Sequence, residues 1–140
     1  MKERRLHPLI RLAEERESVV ARALAERKRT LDSQQERLDE LQRYAEEYSQ
    51  PVQGSTHPAM LANRLAFRER IKQAVDTQHR NVETVRSHCE VETARLLIAS
   101  RETQVLEKLA ASYRRQEDLE KARREQREQD EIAARRKSEE

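Results

Sequence analysis

Apolar residues recur along the first third of this chain at intervals that alternate between three and four positions. Ten of the thirteen positions in the series are apolar or tyrosine, and the series extends over six heptads. This spacing is typical of a helix that packs one narrow stripe, the seam, against another helix. The predicted seam of helix one consists of Leu6, Ile10, Ala13, Glu17, Val20, Leu24, Arg27, Leu31, Gln34, Leu38, Leu41, Ala45 and Tyr48.

The remainder of the chain carries the same alternation. Eleven of sixteen positions are apolar, counting one tyrosine and one cysteine. The long polar side chains in both seams are expected to lay their stems along the contact and to reach solvent with their polar ends. The predicted seam of helix two consists of Leu61, Arg64, Arg68, Ile71, Val75, Gln78, Val82, Val85, Cys89, Glu92, Leu96, Ala99, Thr103, Leu106, Ala110 and Tyr113.

One stretch, Ser49 to Pro58, interrupts the helical pattern. It contains the only glycine, Gly54, and two of the three prolines. Proline disfavours helix in the residue before it and glycine accepts left-handed dihedrals, so the chain can reverse direction here. The sequence therefore predicts an all-α fold, a long antiparallel two-helix coiled-coil hairpin that forms a single unit over residues 1–140. Its parts are helix one over about 8–48, a turn over 49–58 and helix two over about 59–137.

The two predicted helices differ in length. Pro8 suits the first turn of helix one, where no amide donor is needed, and Thr56 is a candidate cap for helix two. Folding about the turn would bring Leu6 near residue 101, so roughly the last 35 residues of helix two would form an overhang. A partner that holds this overhang and a free, solvated helix both fit its charged sequence.

Composition limits the fold and the location. Charged residues make up 40% of the chain, hydrophobic residues 35% and aromatic residues 3%, which is enough apolar material for one seam but not for a globular core. The 29 basic and 27 acidic residues are mixed along the chain and give a net charge of +2, which argues against a strong field for nucleic acid or membrane. A single cysteine, Cys89, excludes an intramolecular disulfide, and no stretch resembles a signal peptide or a membrane span. We therefore expect a cytoplasmic protein.

The sequence holds no pattern typical of catalysis or metal binding. The four histidines have no four-residue spacing with one another or with a second cysteine. One glycine cannot build a phosphate-binding loop, and a two-helix hairpin offers no cleft for a catalytic triad. We expect a protein that is not an enzyme and that binds no metal and no cofactor.

Aromatic residues concentrate beside the predicted turn. Tyr44, Tyr48 and Phe67 are three of the four aromatic residues in the chain. One antiparallel helix shields only a narrow strip of its neighbour, so part of this apolar surface should be exposed. Exposed aromatic residues favour protein binding because they bring a large contact area at low entropic cost. Ordinary packing at the end of a hairpin is the alternative explanation.

Several segments together carry a family resemblance. The chain has a short basic start, then LIRLAEERE at 9–17, LDELQRYAEEY at 38–48 before the turn, NRLAFRERI at 63–71 after it, and a longer charged second helix. The most specific element is LxxLxxYxxEY followed by Phe67 and Ile71 on one stripe. On these motifs the chain resembles the FliJ family, a small soluble component of the bacterial flagellar type III protein export apparatus.

The resemblance implies a coiled-coil stalk similar to that of rotary ATPases. Such a protein would bind and activate the hexameric export ATPase, link it to the membrane export gate and help to cycle export chaperones. It would lie in the cytoplasm at the inner membrane of the flagellar base, attached to the membrane only through partners. The implied gate-binding surface at the hairpin tip is Leu41, Tyr44, Tyr48, Phe67, Ile71, Ala74 and Gln78, and the implied ATPase-binding residues are Arg114, Arg115, Arg123, Arg124 and Arg127.

Other functions stay open on the sequence alone. A generic coiled-coil chaperone or spacer has the same composition, and related stalk proteins serve virulence-type secretion systems. A nucleic-acid-binding hairpin would use the C-terminal arginines and bind with a steep salt dependence, but neighbouring acidic residues offset their charge, so no nucleic-acid partner is expected. Two chains that pair with each other, instead of each folding back, would satisfy the same heptads.

Overall fold

The computed structural model describes residues 2–50 and 57–139. These residues form two α-helices, α1 over Lys2–Ser49 and α2 over Pro58–Glu139, and no strand. The predicted fold class is confirmed, since the chain is an all-α, antiparallel two-helix hairpin. Most of the predicted turn, including Gly54 and the candidate cap Thr56, lies outside the described residues.

The start of α2 follows from local chemistry, whereas α1 begins earlier than predicted. Helix α2 begins at Pro58, where proline needs no amide donor, and the Leu61 N–H donates to the His57 carbonyl at 3.1 Å. Helix α1 begins at Lys2, six residues earlier than predicted, so Pro8 lies in its second turn. The cost of an internal proline is offset there by packing, because Leu6 is buried.

Contacts between residues divide the chain into two compact units. The first, which we call the turn-side unit, is Val19–Leu96. The second, the terminal unit, comprises Met1–Ser18 and Leu97–Glu140.

The turn-side unit pairs the two helices antiparallel, since Tyr48 near the end of α1 contacts Phe67 near the start of α2, whereas the earlier Arg27 contacts the later His88. Its buried apolar side chains all occupy predicted seam positions. Its cross-helix contacts include Tyr48 with Phe67, Gln42 with His79, Gln34 with Gln78 and Arg27 with His88. The buried apolar residues are Leu24, Leu38, Ile71, Val82 and Cys89.

Polar groups buried in this seam have partners. The Gln78 amide donates through Nε2 to the Gln34 backbone carbonyl at 2.9 Å and to Gln34 Oε1 at 2.8 Å. The buried Glu92 carboxylate accepts from Arg95 Nη1 at 3.0 Å. A buried polar group that keeps its hydrogen bonds costs little, so the heptad tolerates both residues.

Three predicted seam residues, Arg27, Leu61 and Arg68, are exposed instead. Arg27 reaches out of the seam toward His88 Nδ1, with its Nη1 at 3.4 Å. Leu61 is exposed because Tyr48, near the end of α1, packs beside Phe67, so the residues at the start of α2 lie past the paired region.

The fully buried side chains of the terminal unit are mostly small. Its buried residues are Leu6, Ala13, Ala99, Thr103 and Ala110, and the Thr103 hydroxyl donates to the Ala99 carbonyl at 3.1 Å. Small residues allow two helices to approach closely but bury little area each.

Pairing in the terminal unit extends further along α2 than predicted. Lys2 and Glu3 contact Tyr113 and Arg114, so Leu6 lies level with about residue 110 rather than 101. Every described side chain from 118 to 139 is exposed. These 22 residues are the C-terminal overhang, which is present as predicted but shorter than expected.

Candidate partner-binding surfaces

An aromatic contact in the turn-side unit joins the two helices. The Tyr48 and Phe67 rings meet edge to face, with centroids 4.7 Å apart and planes at 68°. The Arg64 guanidinium lies over the Tyr48 ring at 5.6 Å and donates through Nη2 to the Gln50 carbonyl at 2.8 Å. Edge-to-face and cation–π geometry both add to simple burial, so this contact positions the helix ends.

Heptad letters identify the sides of the seam. With Leu6 and Ile71 at d and with Ile10 and Val75 at a, Tyr44 and Phe67 fall at g. In an antiparallel pair the g positions of both helices flank one side of the seam and the e positions flank the other. The contact between Gln42 and His79, both at e, agrees with this geometry.

The seven implied gate-binding residues separate into two groups. Tyr44 is 53% exposed, Phe67 is also exposed, and Leu41, Tyr48 and Ala74 are half-buried on the same side of the seam. Ile71 and Gln78 are buried, and the Gln78 amide is used in hydrogen bonds to Gln34. A partner that docks without opening the hairpin can therefore contact the first group but not Ile71 or Gln78.

Sequence reasoning missed part of this surface. Met60 is exposed at the g position one heptad before Phe67, whereas the exposed Leu65 lies at an e position on the opposite side of the seam. The signal was the seven-residue spacing of Met60, Phe67 and Ala74, which continues one stripe of α2. We call Tyr44, Met60, Phe67 and Ala74 the g-edge patch.

Histidine and cysteine side chains in this unit are structural neighbours of the seam. His79 and His88 face Gln42 and Arg27 across the helix pair, and Cys89 is buried. Among residues 2–50 and 57–139, no group of three or more metal-ligating side chains is close enough to hold a metal ion.

The terminal unit holds a charged cross-helix contact. The Arg114 guanidinium donates to Glu3 Oε1 through Nε at 2.8 Å and through Nη2 at 2.5 Å. The hydrogen bond and charge of Glu3 raise the pKa of Arg114 above its usual value, so this arginine stays charged. Lys2 lies over the Tyr113 ring at 5.6 Å. Arg114 is therefore engaged within the hairpin, unlike the other four implied ATPase-binding arginines.

Glu3→Gln is expected to lower the melting temperature slightly at low ionic strength, because it removes the charge that Arg114 faces across the helices. Because the Arg114 guanidinium is exposed, salt screens this pair even though Glu3 is half-buried, so the difference from wild type should shrink in about 1 M salt. Thermal melts followed by circular dichroism at both salt concentrations measure this. The matched control is Glu107→Gln, an exposed position with no basic residue three or four positions away. A difference that is undiminished at high salt would show that Glu3 acts through packing.

The remaining implied ATPase-binding residues lie on exposed helix. Arg115 is exposed just before the C-terminal overhang, and Arg123, Arg124 and Arg127 are exposed within it. The overhang has no buried side chain among the described residues, so its surface is open to a partner along its whole length.

Comparison with known proteins decides the family. The family model described as Flagellar FliJ protein matches residues 1–140. The chain belongs to the FliJ family. No curated protein and no solved structure gives a significant match.

Membership in the FliJ family makes this chain a non-catalytic component of flagellar type III protein export. Over the described residues, neither α1 nor α2 contains an apolar stretch that could span a bilayer.

Proposed function

We propose that this FliJ-family chain is a stalk that binds and activates the hexameric flagellar export ATPase. The observation that carries the proposal is the C-terminal overhang, a helical extension of 22 residues without a buried side chain. Most of the stability of a helix in a protein comes from packing, and this segment has none. A partner that contacts the overhang supplies that packing, and its exposed arginines can form charge-assisted hydrogen bonds to carboxylates.

The same proposal assigns the g-edge patch, with Leu41 and Tyr48, to the membrane export gate. Exposed tyrosine, phenylalanine and methionine on one side of the seam offer a large contact area at low entropic cost. Export chaperones are further partners in this proposal, and the protein acts in the cytoplasm at the flagellar base. It connects the export ATPase to the export gate and catalyses no reaction itself.

The ATP hydrolysis rate of the cognate export ATPase tests the ATPase contact. We expect the full chain to stimulate hydrolysis and a chain truncated after residue 117 to lose the stimulation. This truncation keeps Tyr113 and Arg114 and therefore the paired hairpin. The triple variant Arg123→Ala, Arg124→Ala, Arg127→Ala should reduce the apparent affinity for the ATPase about tenfold.

A matched control removes three exposed arginines elsewhere, with Arg68→Ala, Arg70→Ala and Arg80→Ala in one chain. It has the same change in charge and should retain stimulation. If the truncated chain stimulates as well as the full chain, the overhang is not the ATPase contact. If folded full-length protein at saturating concentration gives no stimulation, the stalk function is wrong.

Binding to the cytoplasmic part of the export gate tests the role of the g-edge patch. Tyr44→Ser removes an exposed aromatic ring without touching the seam, so it should weaken gate binding about tenfold and leave the melting temperature unchanged. Val19→Ala is the control on the same helix, since Val19 is also an exposed apolar residue. Equal binding by both variants would remove Tyr44 from the gate surface.

A further inference from the structure

The terminal unit carries a second row of large apolar side chains outside its seam. The row is well exposed, with Ile98 at 57% and Val105 at 63%. These fractions contrast with those of the buried seam residues of the same unit, most of which are small. The members of the row are Leu9, Leu12, Ile98, Val105 and Leu109.

Heptad geometry places all five residues on one side of the helix pair. Leu9 and Leu109 occupy g positions, and the other three occupy c positions. Positions c and g are neighbours around a helix, next to the d stripe. Because the helices are antiparallel, the g positions of α1 and α2 flank the same side of the seam. The five side chains therefore form one two-helix face, which we call the g-side face.

The opposite side of the same unit is polar. Its e positions hold His7 and Glu14 on α1 and Ser100, Glu107 and Arg114 on α2. One exposed leucine, Leu97, lies at a b position next to these polar residues. Apolar exposure is thus concentrated on the g side, as expected of a binding face rather than of scattered surface residues.

Basic residues border the g-side face. Arg101, Lys108 and Arg115 repeat every seven residues at f positions, and each is three positions after the c residue of its heptad. Arg101 and Lys108 have no acidic residue three or four positions away, although acidic residues are almost as numerous as basic ones in this chain. Their charge is therefore not neutralised by helical neighbours. Within the face itself, Lys2, Arg5 and Arg16 are basic and Glu102 is acidic, and on α1 the border position f holds the acidic Glu15, so the charge of the face and its border is net basic.

We propose that the g-side face binds an amphipathic helix of a partner protein, with acidic residues flanking the apolar stripe of that helix. Two adjacent helices with exposed c and g leucine, isoleucine and valine form a groove for the apolar stripe of a third helix. The unneutralised basic border selects acidic flanks and disfavours a second copy of this chain, whose own border would face it with like charge. The face is distinct from the g-edge patch and from the C-terminal overhang, so the proposal does not rest on gate or ATPase binding.

The direct test uses a fluorescein-labelled synthetic helix of about three heptads, with leucine at a and d and glutamate at e and g. A second peptide of the same design carries lysine in place of glutamate. Fluorescence anisotropy with the full chain at about 50 mM and about 300 mM salt gives the dissociation constants. We expect the acidic peptide to bind at least about tenfold more tightly than the basic one at low salt, with a smaller ratio at high salt.

Paired variants locate the site. Ile98→Glu with Val105→Glu should raise the dissociation constant of the acidic peptide at least about tenfold. Leu97→Glu, at a neighbouring position that is 52% exposed, should change this constant less than about twofold. Arg101→Glu with Lys108→Glu should reverse the preference between the two peptides. All these positions are exposed, and circular dichroism confirms that each variant is folded.

Three outcomes would overturn the proposal. The first is failure of the acidic peptide to bind, or equal binding of both peptides. The second is an equal loss with Leu97→Glu, which would mean that the contact is not on the g side. The third is a concentration-dependent dimer of the chain that Ile98→Glu abolishes, measured by sedimentation equilibrium, which would show that the face is occupied by a second copy.

Discussion

Leu38→Asp is expected to destabilise the hairpin by about 3–5 kcal/mol. Leu38 is only 3% exposed in the seam of the turn-side unit. The substitution removes a buried leucine and places a carboxylate where the residues three and four positions away, Gln34, Gln35, Leu41 and Gln42, include no base. A buried charge without a partner is among the few single changes that cost this much.

Urea denaturation followed by circular dichroism measures this loss. Val19→Asp introduces the same charge on the same helix at an exposed position and should cost less than about 1 kcal/mol. Leu38→Ala should lie between the two, at about 2–3 kcal/mol, because it removes the packing but adds no charge. If Leu38→Asp costs no more than Val19→Asp, the seam does not hold the unit together.

Replacement of both Gln34 and Gln78 by leucine is expected to stabilise the hairpin by about 1–2 kcal/mol and to reduce the specificity of its pairing. The two amides bond to each other inside a largely apolar seam, and a leucine pair there buries more apolar area. Gln78→Leu alone should be destabilising, since it leaves the half-buried Gln34 amide without this partner. The change in the free energy of unfolding is therefore expected to have opposite signs in the single and the double variant.

Denaturation gives the stability and analytical ultracentrifugation gives the oligomeric state. The double variant should form dimers or higher species at concentrations where the wild type is a single species, because leucine heptads also pair in shifted registers and between chains. Gln73→Leu, an exposed substitution, is the control and should change neither quantity. A double variant that is less stable than Gln78→Leu would show that the amide pair contributes more than the packing that replaces it.

Heptad spacing predicted the two helices and most of their seams because burial in a helix pair depends on local periodicity. It could not predict how far one helix is offset along the other, since a repeated heptad fits equally well when shifted by seven residues. The offset is visible only in contacts such as Tyr48 with Phe67 and Glu3 with Arg114. For this reason Leu61 was expected in the seam and the overhang was expected to be longer.

The sequence predicted only part of the candidate surfaces. Aromatic residues beside the turn were visible in the sequence, as was the charge of the C-terminal residues. The heptads predicted Ile71 and Gln78 in the seam, where they are buried, whereas the resemblance placed them on the gate-binding surface. A resemblance assigns residues to a surface without showing which of them the seam covers. The g-side face needed the antiparallel register, which joins residues near 9–12 to residues near 98–109.

The alanine-rich seam of the terminal unit has a thermodynamic consequence. Apart from Leu6, the fully buried apolar residues of this seam are alanines, which bury little area each, while the large side chains of the g-side face are exposed. Such a unit has a small free energy of closure by itself, and a ligand that covers its outward leucines adds to that free energy by mass action. Ligand binding and closure of the helix pair are thus coupled in the terminal unit, so its melting temperature rises with the free concentration of the ligand.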